Sequence, residues 1–182
     1  MEGSGGGSKI ISKKLQFESK FFKVTQAVIE RDGKQFTKDF IERRDAVFVL
    51  PLTDLDEIYL VSQHRDALQK ASLEVIAGNM EVGEEPLEAA KRELQEEVGL
   101  RANEWKHLVT WHLSANMIGR CHLFLATNLI EGEISPDDDE SLETIRMPFD
   151  EAVGKALNGE IDVMSSVAGL LLLNKLKKEG KV

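Results

Sequence analysis

The chain has 182 residues, 42% hydrophobic and 30% charged, an ordinary globular composition with room for one buried core and a small appendage. A formal net charge of -9 argues against a nucleic-acid surface, which needs a basic patch, but not against a small anionic ligand whose charge is met by cations at its site. The single cysteine, Cys121, excludes an intrachain disulfide and suits a reducing compartment.

Residues 1–8, MEGSGGGS, read as a flexible Gly/Ser linker without the apolar run of a secretory signal. The longest apolar run, VAGLLLL at Val167–Leu173, is too short to span a bilayer, so a cytoplasmic protein with no membrane partner is expected. Residues 9–42 have strand character: KFFKVTQAVIE and QFTKDFIE flank the turn signal Asp32-Gly33 and predict a β-hairpin. This extension must pack on the rest of the chain or on another subunit. Ala46–Pro51 and Ile58–Val61 predict buried strands, and Leu73–Ala77 a further short one ending at Gly78. Glu85–Val98 predicts a helix, with Pro86 in its first turn and Gly99 at its C-terminal end. Strands are expected near Leu108–Leu113 and Cys121–Thr127, then an acidic loop at Pro136–Glu140 and a strand at Thr144–Met147. Helices at Asp150–Asn158 and Val163–Lys178 close the chain. The class is α/β or α+β with a mixed sheet, and no internal repeat is visible.

The helix poses an electrostatic problem. Placed at 100° intervals, Leu87, Ala90, Leu94 and Val98 fall within roughly 80° of one another and form the packing face. Glu93, Glu96 and Glu97 cluster on a neighbouring face near the C-terminus, with Arg92 at its edge. Carboxylates there oppose the helix dipole and repel one another. An isolated acidic run usually lies on a solvated face; a cluster of this kind also suits a hard divalent cation, Mg²⁺ first and Mn²⁺ or Ca²⁺ next.

The surrounding spacing decides between these readings. GNMEVGEEPLEAAKRELQEEVGL, Gly78–Leu100, matches G-x5-E-x7-R-E-U-x-E-E-x-G-U, with U aliphatic, at Gly78, Glu84, Arg92, Glu93, Glu96, Glu97 and Gly99. Seven fixed letters at roughly 7% usage each give a chance match of about one in 10⁸ per start position. This is the box of the Nudix hydrolases, and the chain resembles that family. The resemblance implies a Nudix fold, a mixed β-sheet sandwiched between helices, with residues 43–182 as its domain and 9–42 as an N-terminal β-hairpin extension. It further implies Mg²⁺ (or Mn²⁺) held by Glu93 and Glu97, with Glu96 and the carbonyl of Ala77 assisting, and Arg92 orienting a glutamate. The reaction implied is attack of water on a diphosphate.

The flanks resemble the ADP-ribose and nucleoside-diphosphate-sugar pyrophosphatase branch. LVSQHRDALQKASLEVIAG, from Leu60, matches that branch at Gln63, Arg65, Glu74 and Ala77-Gly78, with Ile76 in place of a proline. By this resemblance Arg65 and Glu74 serve substrate binding, as does Arg43, preferred over Arg44, within IERRDAVFVLP. The segment SPDDDESLETIRMPFDEA places Glu140 as a metal ligand and Asp138 as the catalytic base, with Asp139, Glu143 or a box glutamate as alternatives. Phe22, with Phe21 and Phe36, is a candidate to stack on the base of a nucleotide. The extension implies a homodimer. The chain departs from the branch at WHLSANMIGRC, where Ser114 is followed by Ala115-Asn116 and where Arg120-Cys121 stand near the usual acid. The substrate expected is therefore ADP-ribose or another nucleotide sugar such as GDP-mannose, a small molecule and no nucleic acid. A hydrolase of nucleoside triphosphates or dinucleotides, and a non-catalytic nucleotide sensor, are the alternatives. His64, His107, His112 and His122 show no ligand spacing.

Overall fold

The computed structural model describes residues 7–132 and 142–182. The chain divides into two compact units, Met1–Asp45 with Trp111–Arg120, and Ala46–Thr110 with Cys121–Val182.

The first unit is a four-stranded sheet in the order β1-β2-β3-β9. Its strands are β1 (Lys9–Glu18), β2 (Phe22–Arg31), β3 (Lys34–Arg43) and β9 (Met117–Ile118). The β2–β3 turn has positive φ at both Asp32 (53°) and Gly33 (71°). That conformation matches strand twist and explains why Asp-Gly sits there. At the preceding turn the Ser19 hydroxyl accepts the N–H groups of Phe21 and Phe22, both at 3.2 Å. The extension is thus more than the hairpin expected: β1 adds one edge, and β9 pairs parallel to β3 at the other, Ile41 opposite Met117. Asp45 fixes this second addition, accepting the Arg120 backbone N–H at 2.8 Å and its guanidinium at 2.7 Å.

The second unit holds two sheets, β7-β4-β10-β8 and β11-β5-β6. Their strands are β4 (Ala46–Pro51), β5 (Glu57–Arg65), β6 (Lys70–Glu74), β7 (Ile76–Asn79), β8 (Leu100–His112), β10 (Arg120–Glu131) and β11 (Glu143–Pro148). Three helices complete it: α1 (Pro86–Val98), α2 (Phe149–Asn158) and α3 (Met164–Lys178). β4 runs parallel to β10 and antiparallel to β7, so the sheet is mixed. One face of this sheet, through Val47, Val49, Ile76, Phe124 and Ala126, joins Ala90, Leu94 and Val98 of α1 in one core cluster. On the opposite face α3 comes close at Gly169, where a Cβ would lie 3.3 Å from Leu123 Cδ1 and 3.8 Å from Leu50 Cδ2. The sheet is sandwiched between helices, and each fully buried Leu or Val contributes about 1.5–3 kcal/mol. Among the described residues no helix is long and apolar enough to cross a membrane.

Two strands differ from expectation. The single strand expected at Leu73–Ala77 is two, because Glu74 pairs with Val61 in one sheet while Ile76 pairs with Val49 in the other. Between them the N–H of Val75 leaves both ladders and donates to the buried Ser166 hydroxyl at 3.1 Å. β8 begins at Leu100, well before Leu108, because Gly99 (φ 66°) closes α1 and turns the chain directly into the strand. Polar residues such as Arg101 and Asn103 conceal that start from any hydrophobicity pattern.

Candidate active site

Edge strand β7 and helix α1 build the site. Pro86 at the first turn and Gly99 at the last bound the helix, and the Gly99 N–H caps Gln95 O at 3.0 Å. These bounds place Arg92 through Glu97 on the final two turns, beside Ala77 and Gly78.

Glu93 is buried, with 9% of its surface exposed. Its carboxylate lies against the Gly78 backbone so closely that a Cβ there would stand 1.8 Å from Oε1. Only glycine permits this cradle. Glu97 Oε2 accepts the backbone N–H of Ala77 at 3.4 Å. In an extended strand the N–H and C=O of one residue point to the same side, so the Ala77 carbonyl also faces α1 rather than β4.

Arg92 is the centre of the charge arrangement. Its Nε and Nη2 donate to the two oxygens of Glu84 at 3.0 and 3.1 Å, and Nη2 also donates to the Asn79 carbonyl at 3.1 Å. Its Nη1 donates to Glu93 Oε1 at 2.7 Å and Glu96 Oε2 at 2.9 Å. Three carboxylates therefore share one guanidinium, and charge-assisted bonds of this length are the strong kind. The pairing holds the Glu84 carboxyl below its ordinary range, chiefly through the Arg92 hydrogen bond, and raises Arg92 further above its own. Glu84 also accepts the Glu81 N–H at 2.8 Å, closing the loop before α1 on itself, and its fork with Arg92 ties that loop to the helix. Sequence reasoning gave Glu84 and Asn79 no role. Glu84 was visible in the motif, whereas a backbone carbonyl such as that of Asn79 leaves no trace in side-chain identity.

The residues fit a hard divalent ion in kind. The donors are all oxygen, they stand on adjacent turns, and Gly78 keeps the cradle around Glu93 open. In the arrangement observed the carboxylates converge on Arg92, and among the described residues no three His, Cys, Asp or Glu side chains converge on a point that could hold an ion.

Elsewhere in this unit Arg65 meets Glu74 in a two-point fork, Nε to Oε1 and Nη2 to Oε2, both at 2.7 Å. Glu74 is buried and Arg65 partly exposed, so the carboxylate fixes the direction of the guanidinium. Asp138 and Glu140 lie outside the described residues. The described residues on either side are fixed near α1: the Gly132 N–H donates to Gly99 O at 2.8 Å, and Leu142 packs on the α1 core cluster. Phe22 and Arg43 belong to the first unit, at the start of β2 and the end of β3; Phe22 meets Phe17 in a tilted pair with ring centroids 5.8 Å apart. Arg120, which stands near the usual acid of the branch, is committed to Asp45. Two of the scattered histidines are joined: Thr110 Oγ1 links His107 Nε2 at 3.0 Å to the buried His122 Nδ1 at 3.1 Å.

Residues 42–166 match the NUDIX domain family. The chain is 32% identical over 149 residues to an ADP-ribose pyrophosphatase of Bacillus subtilis, covering 80% of each protein. It is 31% identical over 125 residues to a methanol dehydrogenase activator of Bacillus methanolicus, covering 67% of this chain and 68% of that protein. Among solved structures, an ADP compounds hydrolase superposes with a TM-score of 0.84 at 25% identity, covering 96% of this chain and 97% of the other.

Proposed function

The chain belongs to the NUDIX domain family, and from that premise we propose that it is a Mg²⁺-dependent pyrophosphatase. It hydrolyses the diphosphate of a nucleotide sugar, ADP-ribose foremost and GDP-mannose-like compounds next, to a nucleoside monophosphate and a sugar phosphate. The observation that carries this reading is the carboxylate cluster of α1 against β7: Glu93 on Gly78, Glu97 on Ala77, and Arg92 linking Glu84, Glu93 and Glu96.

In this reading Glu93, Glu96, Glu97 and the Ala77 carbonyl hold the ion, with Glu140 as a further ligand. Once bound, the ion supplies Lewis-acid neutralisation of diphosphate charge. Arg65, aimed by Glu74, binds the substrate, together with Arg43 and Phe22. Asp138, or one of its acidic neighbours, takes a proton from the attacking water. Water adds to one phosphorus in line as the bridging P–O bond breaks, so positioning and electrostatics supply most of the rate. The single buried cysteine fits a cytoplasmic setting. The exposed apolar residues of the first unit, Ile10, Ile11, Leu15 and Phe17, support a homodimer.

The test is turnover of ADP-ribose, GDP-mannose, UDP-glucose and dinucleoside diphosphates with Mg²⁺. Monophosphate release from at least one is expected. A folded protein that cleaves none of them contradicts the assignment, and release of inorganic pyrophosphate from a nucleoside triphosphate favours the other hydrolase reading. The relative named as a dehydrogenase activator supports a second role, action on a partner enzyme; turnover by the isolated chain separates the two.

A further inference from the structure

A guanidinium carries five N–H donors in a rigid plane, and Arg92 places all five within this one cluster. The bonds divide by direction. Nε and Nη2 make three, two to Glu84 in the loop that precedes α1 and one to the Asn79 carbonyl at the end of β7, while Nη1 alone makes the two to Glu93 and Glu96. Glu93 is thereby enclosed on two sides, by Nη1 at 2.7 Å and by the Gly78 backbone, with little of its surface exposed. A Mg²⁺ ion takes a carboxylate oxygen at about 2.0–2.1 Å. It cannot settle on Glu93 and Glu96 without bringing a second cation against the Nη1 group that already spans them. Tilting the whole guanidinium plane about its Nε–Nη2 edge carries Nη1 off Glu93 and Glu96, breaking two bonds while the fork to Glu84 persists, so the group can yield these oxygens without leaving Glu84.

We propose that Arg92 is an internal counter-cation that stands in for the first divalent ion, latched to Glu93 and Glu96 in the ion-free protein and displaced from them when an ion binds. The proposal rests on the metal-dependent reading above and adds to it a direction: Arg92 opposes ion uptake in the absence of substrate. A residue that only oriented the ligands would favour uptake. The latch stabilises the ion-free cluster, and the apparent ion affinity falls by the fraction of molecules in which the latch is open.

The experiment titrates the parent, R92Q and R92K with Mn²⁺ alone, following free Mn²⁺ by electron paramagnetic resonance, with thermal unfolding recorded before and after addition. R92Q is expected to bind its first Mn²⁺ about 10-fold tighter than the parent or better. It should melt lower without the ion and gain more in Tm when the ion is added. R92K keeps the charge but cannot bridge Glu84, Glu93 and Glu96 together, so its affinity should fall between the two. Equal or weaker binding by folded R92Q overturns the proposal while leaving the metal-dependent reading intact. If R92Q does not fold, the comparison of R92K with the parent decides it in the same way: tighter binding supports the latch, and equal or weaker binding overturns it. No Mn²⁺ uptake by any of the three overturns the metal reading and the latch together.

Discussion

At Gly78 one methyl group would collide with the site. A Cβ there meets both carboxylate oxygens of Glu93, at 1.8 and 2.3 Å, and Glu93 is held from its other side by Arg92. Gly78→Ala should therefore push Glu93 out of its cradle, costing about 1–3 kcal/mol of stability and at least ~10-fold in turnover. Urea denaturation and a steady-state assay measure both; a variant as stable and as active as the parent would show that the cradle is not needed. At this scale much was legible in the sequence, because a fixed spacing along a helix is also a fixed geometry. Glu93, Glu96, Glu97, Arg92 and Gly78 do come together around the last two turns of α1 and one edge of β7. What the spacing concealed is that Arg92 spans three carboxylates. That depends on the loop at Asn79–Glu84 folding back onto the helix, a contact that no periodicity encodes.

Between the sheets, the break from β6 to β7 sets where Ala77 stands. Val75 is the hinge, and its N–H, lost from both ladders, is satisfied by the Ser166 hydroxyl of α3. Both residues are almost fully buried, with 1% of each exposed. Ser166→Ala should leave a buried donor unpaired and cost about 1–3 kcal/mol, seen as a lower urea midpoint at unchanged slope. An unchanged midpoint would mean that water or a rearranged strand takes over the bond. Helix α1 was readable because apolar periodicity, Pro86 and Gly99 all agreed. The split strand was not, since SLEVIAG is one unbroken β-prone run. Only pairing with two different partners, β5 and β4, divides it, and β9 is likewise a strand only because β3 lies beside it.

For the molecule as a whole, the first unit presents exposed Ile10, Ile11, Leu15 and Phe17 along a single edge strand, an unusual feature for a protein that remains monomeric. Replacing Leu15 and Phe17 by Asp should convert a dimer to a monomer in sedimentation velocity runs; a parent that already sediments as a monomer would contradict the homodimer. The measurement that bears most directly on the function is AMP formation from ADP-ribose with Mg²⁺ by the parent and by Glu97→Gln. The parent should turn over, and the variant, folded and still binding ADP-ribose, should be slower by about 10²–10⁴-fold. Equal rates for the two would contradict a carboxylate site built on α1.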